Sequence, residues 1–129
     1  MKKFLLFNLT IDSDLDVSNF SLQLTEKPTT DLKIRSSVVH FKKLSISASS
    51  PNYSLYSDSS YAEIYRKGFG KFIISNGTEV VYEKEKSILD FNFATYVLSN
   101  VMPYILYQRN FLVLHSSAIS VNCKRYFFC

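Results

Sequence analysis

Two histidines, two cysteines and a scatter of acids and hydroxyls are what this 129-residue chain offers to chemistry. His40 stands between Val39 and Phe41 with Lys42 and Lys43 following, and a solitary histidine on a strand ordinarily packs or faces solvent. His115 carries more interest, because Ser116, Ser117 and Ala118 follow it, small residues that let a ligand or another backbone come close. Catalysis by such a histidine still requires a partner that orients it and a group to activate. No Gly-x-Ser-x-Gly elbow supplies a nucleophile. The acids Glu79, Glu83, Glu85 and Asp90 are spread over turns and element ends, where surface charge and helix capping account for them. Cys123 and Cys129 have neither a metal-ligand spacing nor a histidine cluster beside them. On one strand they would stand about 20 Å apart, too far for a disulfide unless the chain turns back. Gly68-Phe69-Gly70 leads into a strand, so it lacks the helix N-terminus that a dinucleotide site needs. No metal, cofactor or catalytic set is predicted from these residues.

The elements that would have to position them are mostly strands. Hydrophobic residues make up 47% and aromatics 16% of the chain, enough for a folded core and too much for disorder. Three Gly and three Pro leave little room for flexible linkers. The formal charge of +4 is spread over isolated basic pairs such as Lys42–Lys43 and Arg66–Lys67, which argues against a nucleic-acid partner. The N-terminal apolar run breaks at Asn8, too short for a secretion signal, and no stretch reaches bilayer length. With free thiols, this predicts a soluble, cytoplasmic protein with no membrane partner.

Lys3–Ile11 is read as a first strand, Phe20–Leu24 as an alternating segment, and Leu32–Ile46 as two short strands. Ser47–Ser60 is a Ser-rich loop or edge region and Tyr61–Arg66 a strand. Lys71–Ser75 and Thr78–Glu83 flank Asn76–Gly77, the pair that a type I′ hairpin demands. Ser87–Gln108 has helical apolar spacing, with Ser87 as a candidate cap, Asp90 at the third helical position and Pro103 as a potential kink. Its Phe and Leu stripe is core. Phe111–Val121 and Lys124–Cys129 then form a second hairpin. The expected fold is α+β: a mostly antiparallel sheet with one long helix, about 87–108, in a single domain (residues 1–129). Residues 1–60 form its β-and-loop half and 61–129 its hairpin-helix-hairpin half.

The segment Leu106–Cys129 (LYQRNFLVLHSSAISVNCKRYFFC) resembles a stretch of the HPr serine kinase and phosphoenolpyruvate-carboxykinase-like superfamily. It is most similar to kinase-related proteins of bacterial peptide-modification gene clusters. Gln108–Arg109 matches the pair that ends the family's helix, and Leu114–Ala118 its Leu-His-small-small-Ala strand. The likeness extends over Tyr61–Cys129 and is poor over Met1–Ser60, the half that varies freely in the family this chain resembles. It implies an ATP- and Mg²⁺-dependent kinase whose Gly-x-x-Gly-x-Gly-Lys-Ser/Thr loop would follow the last strand. No such loop occurs in these residues. Cys123 stands where the family commonly has a turn glycine. By the same likeness His115 and Ser116 would lie near the phosphate site without being catalytic.

The chain is therefore expected to be the N-terminal portion of an HPr-kinase-like kinase, inactive alone, ending in a buried strand. Its implied partners are a downstream kinase chain, a peptide or protein substrate, or a second copy through the C-terminal strand. The alternative is a stand-alone β-rich module that binds a peptide or protein at a sheet edge. A residual nucleotide binder is a third reading.

Overall fold

The computed structural model describes residues 2–111, 117–121 and 124–128. In chain order the elements are β1 (Lys2–Leu6), β2 (Leu9–Ser13), β3 (Gln23–Leu24), β4 (Leu32–Ser36), β5 (Tyr53–Ser57), β6 (Tyr61–Arg66), β7 (Gly70–Ser75) and β8 (Glu79–Lys84). They continue with α1 (Asp90–Tyr96), a π-helical turn (Val97–Val101), α2 (Met102–Gln108), β9 (Ser117–Val121) and β10 (Lys124–Phe128). Eight strands share one sheet in the order β3-β1-β2-β4-β8-β7-β6-β5, and β9 pairs with β10 in a separate hairpin. The fold is α+β, with one helical rod of 19 residues.

The large sheet is mixed. β4 runs parallel to both of its neighbours, β2 and β8, while the remaining pairings are antiparallel. Tight turns produce antiparallel neighbours, whereas parallel neighbours need a crossover. β8 meets β4 only after the β5–β6–β7 meander has intervened. The sheet draws strands from both sides of residue 60, so the two halves distinguished in the sequence share one sheet.

Turn chemistry explains the hairpins. The N-terminal apolar run is not one strand, because Phe7 (φ 51°) and Asn8 (φ 63°) both take the left-handed conformation and fold β2 back on β1. Two consecutive positive φ values define the I′ turn, whose twist matches that of paired strands. The fold-back places Phe4 opposite Ile11, and both are fully buried. Asn76 (φ 55°) and Gly77 (φ 63°) make the expected turn between β7 and β8, closed by the Thr78 amide on the Ser75 carbonyl at 3.0 Å. Ser75 then pairs with Glu79, leaving Thr78 as an extra residue whose carbonyl accepts from the Lys33 amide of β4 at 2.9 Å. The turn thus also seats β4.

One sheet face is the core. Period-two alternation aligns Phe4, Ile11, Leu32, Ile34, Val80, Ile74, Phe72 and Ile64 across the strands, all at most 1% exposed. The helix lies on this face through Phe93, Tyr96, Val97, Val101, Met102 and Ile105. Phe93 stacks on Phe72 with centroids 5.5 Å apart and meets Tyr82 at 5.1 Å.

The helix begins at Asp90, three residues later than expected, and Leu89 precedes it without a side-chain cap. Ser87 is not the cap, and Asp90 is the first helical residue, 3.4 Å from the Lys84 ammonium. Pro103 does not end the helix. The rod widens into a π turn just before it, and the Met102 amide reaches back five residues to the Val97 carbonyl. Pro103 then occupies the first turn of α2, where its missing N–H costs little. Asn110 (φ 65°) closes α2 in a Schellman arrangement: its amide bonds the Tyr107 carbonyl at 3.0 Å, and Phe111 that of Leu106 at 2.9 Å.

Val39–Phe41 is not a strand, contrary to the reading of two strands in Leu32–Ile46; only Leu32–Ser36 is. The segment after β4 is held to the sheet by carboxylates instead, as the next subsection describes. Among the described residues, no helix is long and apolar enough to cross a membrane.

Candidate functional site

The most deeply buried acid, Glu63 of β6, is fully enclosed. A bare carboxylate there would be prohibitive, so its bonding partners define its role. Oε2 accepts from the Lys42 amide at 2.7 Å, and Oε1 from the Lys43 and Leu44 amides at 2.9 and 2.8 Å. The Tyr61 hydroxyl donates the fourth bond. Burial pushes the Glu63 pKa up, but the bonds from Tyr61 and the three amides outweigh it and hold the carboxyl below its ordinary range. Glu83 does the same work with one bond, accepting the Val39 amide at 2.9 Å. Asp14 accepts from Tyr82 Oη at 2.6 Å and from the Ser36 amide and hydroxyl, both at 2.8 Å. These carboxylates are clamps that tie loops to the sheet. Glu79 pairs with Arg35 at 3.6 Å.

The Gln-Arg pair singled out in the sequence is also structural. Gln108 Oε1 accepts from the Gly77 amide at 2.8 Å, and its Nε2 donates to the Ile74 carbonyl at 3.1 Å. Arg109 donates to the Gly77 carbonyl at 2.9 Å and to the Asp31 carbonyl at 3.4 Å. The end of the helix therefore grips the Asn76–Gly77 turn. A Cβ at Gly77 would collide with Arg109 Cγ, so the glycine serves both turn and grip. Gly68 (φ 84°) turns β6 into β7, so Gly68-Phe69-Gly70 leads into a strand as expected.

His40 is exposed and stands outside any cluster. His115, Ser116, Cys123 and Cys129 lie outside the described residues. Among the described residues, no group of three or more His, Cys, Asp or Glu gathers as metal ligands.

A groove of about 490 Å³ with open binding capacity lies between the edge strand β5 and the helix. Tyr53, Ser57 and Arg66 form its sheet side, and Tyr96, Ser99, Asn100, Pro103, Tyr104 and Tyr107 its helix side. The π turn contributes Ser99 and Asn100, and such turns recur where a helix has to present groups to a ligand. Tyr53 and Tyr104 join hydroxyls across it at 3.2 Å. Burial, followed by the Tyr53 contact, pushes the Tyr104 phenol well above its usual range, so it remains a neutral donor and acceptor. Arg66 lies over the rings of Phe69 and Tyr96, with centroids 5.1 and 5.6 Å away. Among the described residues it has no carboxylate partner.

Neither models of known protein families, nor curated proteins, nor solved structures gave a match to this chain. The function therefore has to be argued from geometry. Among the described residues the groove brings together phenols, hydroxyls, an amide and a guanidinium, a set suited to binding and orienting a ligand. Tyr53 lies in the segment read as a Ser-rich loop or edge region, and Tyr96, Tyr104 and Tyr107 stand outside the Phe, Leu, Ile and Val stripe from which the helix is read, so nothing in the sequence links them.

Proposed function

We propose that the chain is the non-catalytic N-terminal portion of an ATP-dependent kinase of the HPr-kinase-like type, in which the catalytic loop resides on other residues. The observation that supports this reading is the grip of Gln108 and Arg109 on Gly77. Two features on which the resemblance rests, the helix-ending pair and the Asn-Gly hairpin, meet in space as one unit. The β9–β10 hairpin, with Val121 opposite Lys124 and a two-residue connection, agrees with the strand-turn-strand order of the same resemblance. In this reading ATP and Mg²⁺ are bound by a phosphate loop on other residues, and this chain supplies the sheet against which that loop is set. Titrating the purified chain with Mg²⁺-ATP in a calorimeter should give no heat of binding. The coding sequence beyond Cys129, or the adjacent gene, should encode Gly-x-x-Gly-x-Gly-Lys-Ser/Thr. Micromolar ATP affinity, or the absence of that motif in every frame, would overturn the proposal.

A second reading, a stand-alone β-rich binding module, is favoured by the exposed edge at β5, where Tyr53 and Leu55 are 42% and 41% exposed. The two part company in solution. A monodisperse chain with one cooperative melting transition favours the module, and aggregation on isolation favours the kinase portion.

A further inference from the structure

We propose that β5 and the tyrosine groove bind an extended peptide segment bearing a carboxylate side chain, by adding it as a ninth strand to the sheet. This is independent of whether the chain belongs to a kinase.

The backbone supplies the first argument. In an antiparallel pair, residues alternate between exchanging hydrogen bonds with the partner strand and facing away from it. Just outside the β5–β6 ladder, the Lys67 amide bonds the Asn52 carbonyl at 2.8 Å, and the Asp58 amide bonds the Tyr61 carbonyl at 2.9 Å. Carried inward, that alternation turns the main chain of Ser54 and Tyr56 toward β6. The amides and carbonyls of Tyr53, Leu55 and Ser57 therefore face outward, at the end of the sheet order. A strand with an open row of donors and acceptors is a template for another chain. At the opposite edge of this sheet β3 is only two residues long, so among the described residues of the sheet β5 is the longer template.

Side chains supply the second argument. Tyr53, Leu55 and Ser57 are opposite Arg66, Ile64 and Ala62, which puts them on the helix side of the sheet. The residues with outward main chain thus have their side chains on the groove face. An added strand would set every second side chain toward the tyrosines.

Charge selects the occupant. Among the described residues, Arg66 is the one charged residue lining the groove, and no carboxylate lines it. The nearest acid on this strand-turn, Asp58, is already occupied by the Tyr56 hydroxyl at 2.9 Å and by the Ser60 and Tyr61 amides, both at 2.9 Å. Held over two rings, the guanidinium is preorganised for a carboxylate. The aromatic rim matches aliphatic or aromatic neighbours on the same peptide face.

The test uses the full chain and three terminally blocked, fluorescein-labelled octapeptides read by anisotropy. The first alternates Val and Thr with one central Glu, the second has Lys for Glu, and the third is the first with alternate amides N-methylated. The Glu peptide should bind at least tenfold more tightly than either of the others. Arg66→Gln should remove the preference for Glu over Lys. Leu55→Pro deletes an outward-facing amide without touching the β6 ladder, so its circular dichroism should match wild type while peptide binding falls at least tenfold. If Leu55→Pro perturbs the fold, N-methylation of the peptide provides the same discrimination on the unmodified protein. Equal binding of all three peptides, or none, overturns the proposal. So does a concentration-dependent dimer in sedimentation that Leu55→Pro abolishes, because the occupant would then be a second copy.

Discussion

At the scale of single residues, the acids Glu63, Glu83 and Asp14 are spent on holding the backbone. Glu63 satisfies three amides of a loop about twenty residues away, and nothing in its local sequence announces that. Glu63→Ala would leave those amides buried without an acceptor and should cost roughly 3 kcal/mol in urea unfolding. The pH dependence follows from the direction of its shift. The carboxyls of Glu63 and Asp14 are held below their usual range, so each adds stability above the unfolded carboxylate value of about 4. That stability is lost as pH falls through the lower folded value. The melting temperature should therefore drop steeply below about pH 4, and Glu63→Gln should flatten the drop, leaving the share that Asp14 contributes. Gly70 makes a comparable demand: a Cβ there would overlap the Glu83 carbonyl on β8. Gly70→Ala should destabilise the β7–β8 pairing by about 2 kcal/mol or more, measured by chemical denaturation.

At the scale of elements, the hairpins and the helix answer to local chemistry. Asn76–Gly77 was readable because a I′ turn has few acceptable residues. Phe7–Asn8 makes the same turn but was hidden, because Phe at positive φ is uncommon and the flanking leucines read as one continuous strand. The helix was readable from its period, and its start was misplaced because Ser87 has the right chemistry for a cap without the geometry. The link between helix and hairpin is tertiary. Gln108→Ala removes one acceptor and one donor from the β7–β8 turn and should cost roughly 1–2 kcal/mol. Amide exchange should rise at Gly77 and Thr78 more than at β1 and β2, which a general loss of stability would not single out. Phe93→Ala empties the stack against Phe72 and Tyr82 and should cost about 3–5 kcal/mol.

At the scale of the whole molecule, β4 is decisive. It is the strand that joins the N-terminal hairpin to the β5–β8 meander, with β2 on one side and β8 on the other. Residues 61–129 alone would lose β4, its partner face on β8 and the core residues Phe4, Ile11, Leu32 and Ile34. That fragment should show no cooperative thermal transition by circular dichroism, whereas the full chain should melt in one step. A cooperative fragment would mean that the hairpin-helix-hairpin half has a core of its own.

By itself the sequence determined the α+β class, the Asn-Gly hairpin, the strand at Tyr61–Arg66 and the existence of one apolar-faced helix. These depend on turn residues and on periodicity, which act over a few neighbouring positions. Only the tertiary structure decided that β4 sits in parallel between β2 and β8, that Glu63 is a clamp, that Gln108–Arg109 grips Gly77, and that tyrosines from β5 and the helix share a groove. Each of these joins residues far apart in the chain, such as Gly77 with Gln108 at a separation of 31 and Tyr53 with Tyr104 at 51. Such partners are chosen by which buried groups can satisfy one another once the sheet has closed, and that choice leaves no periodic trace in the sequence.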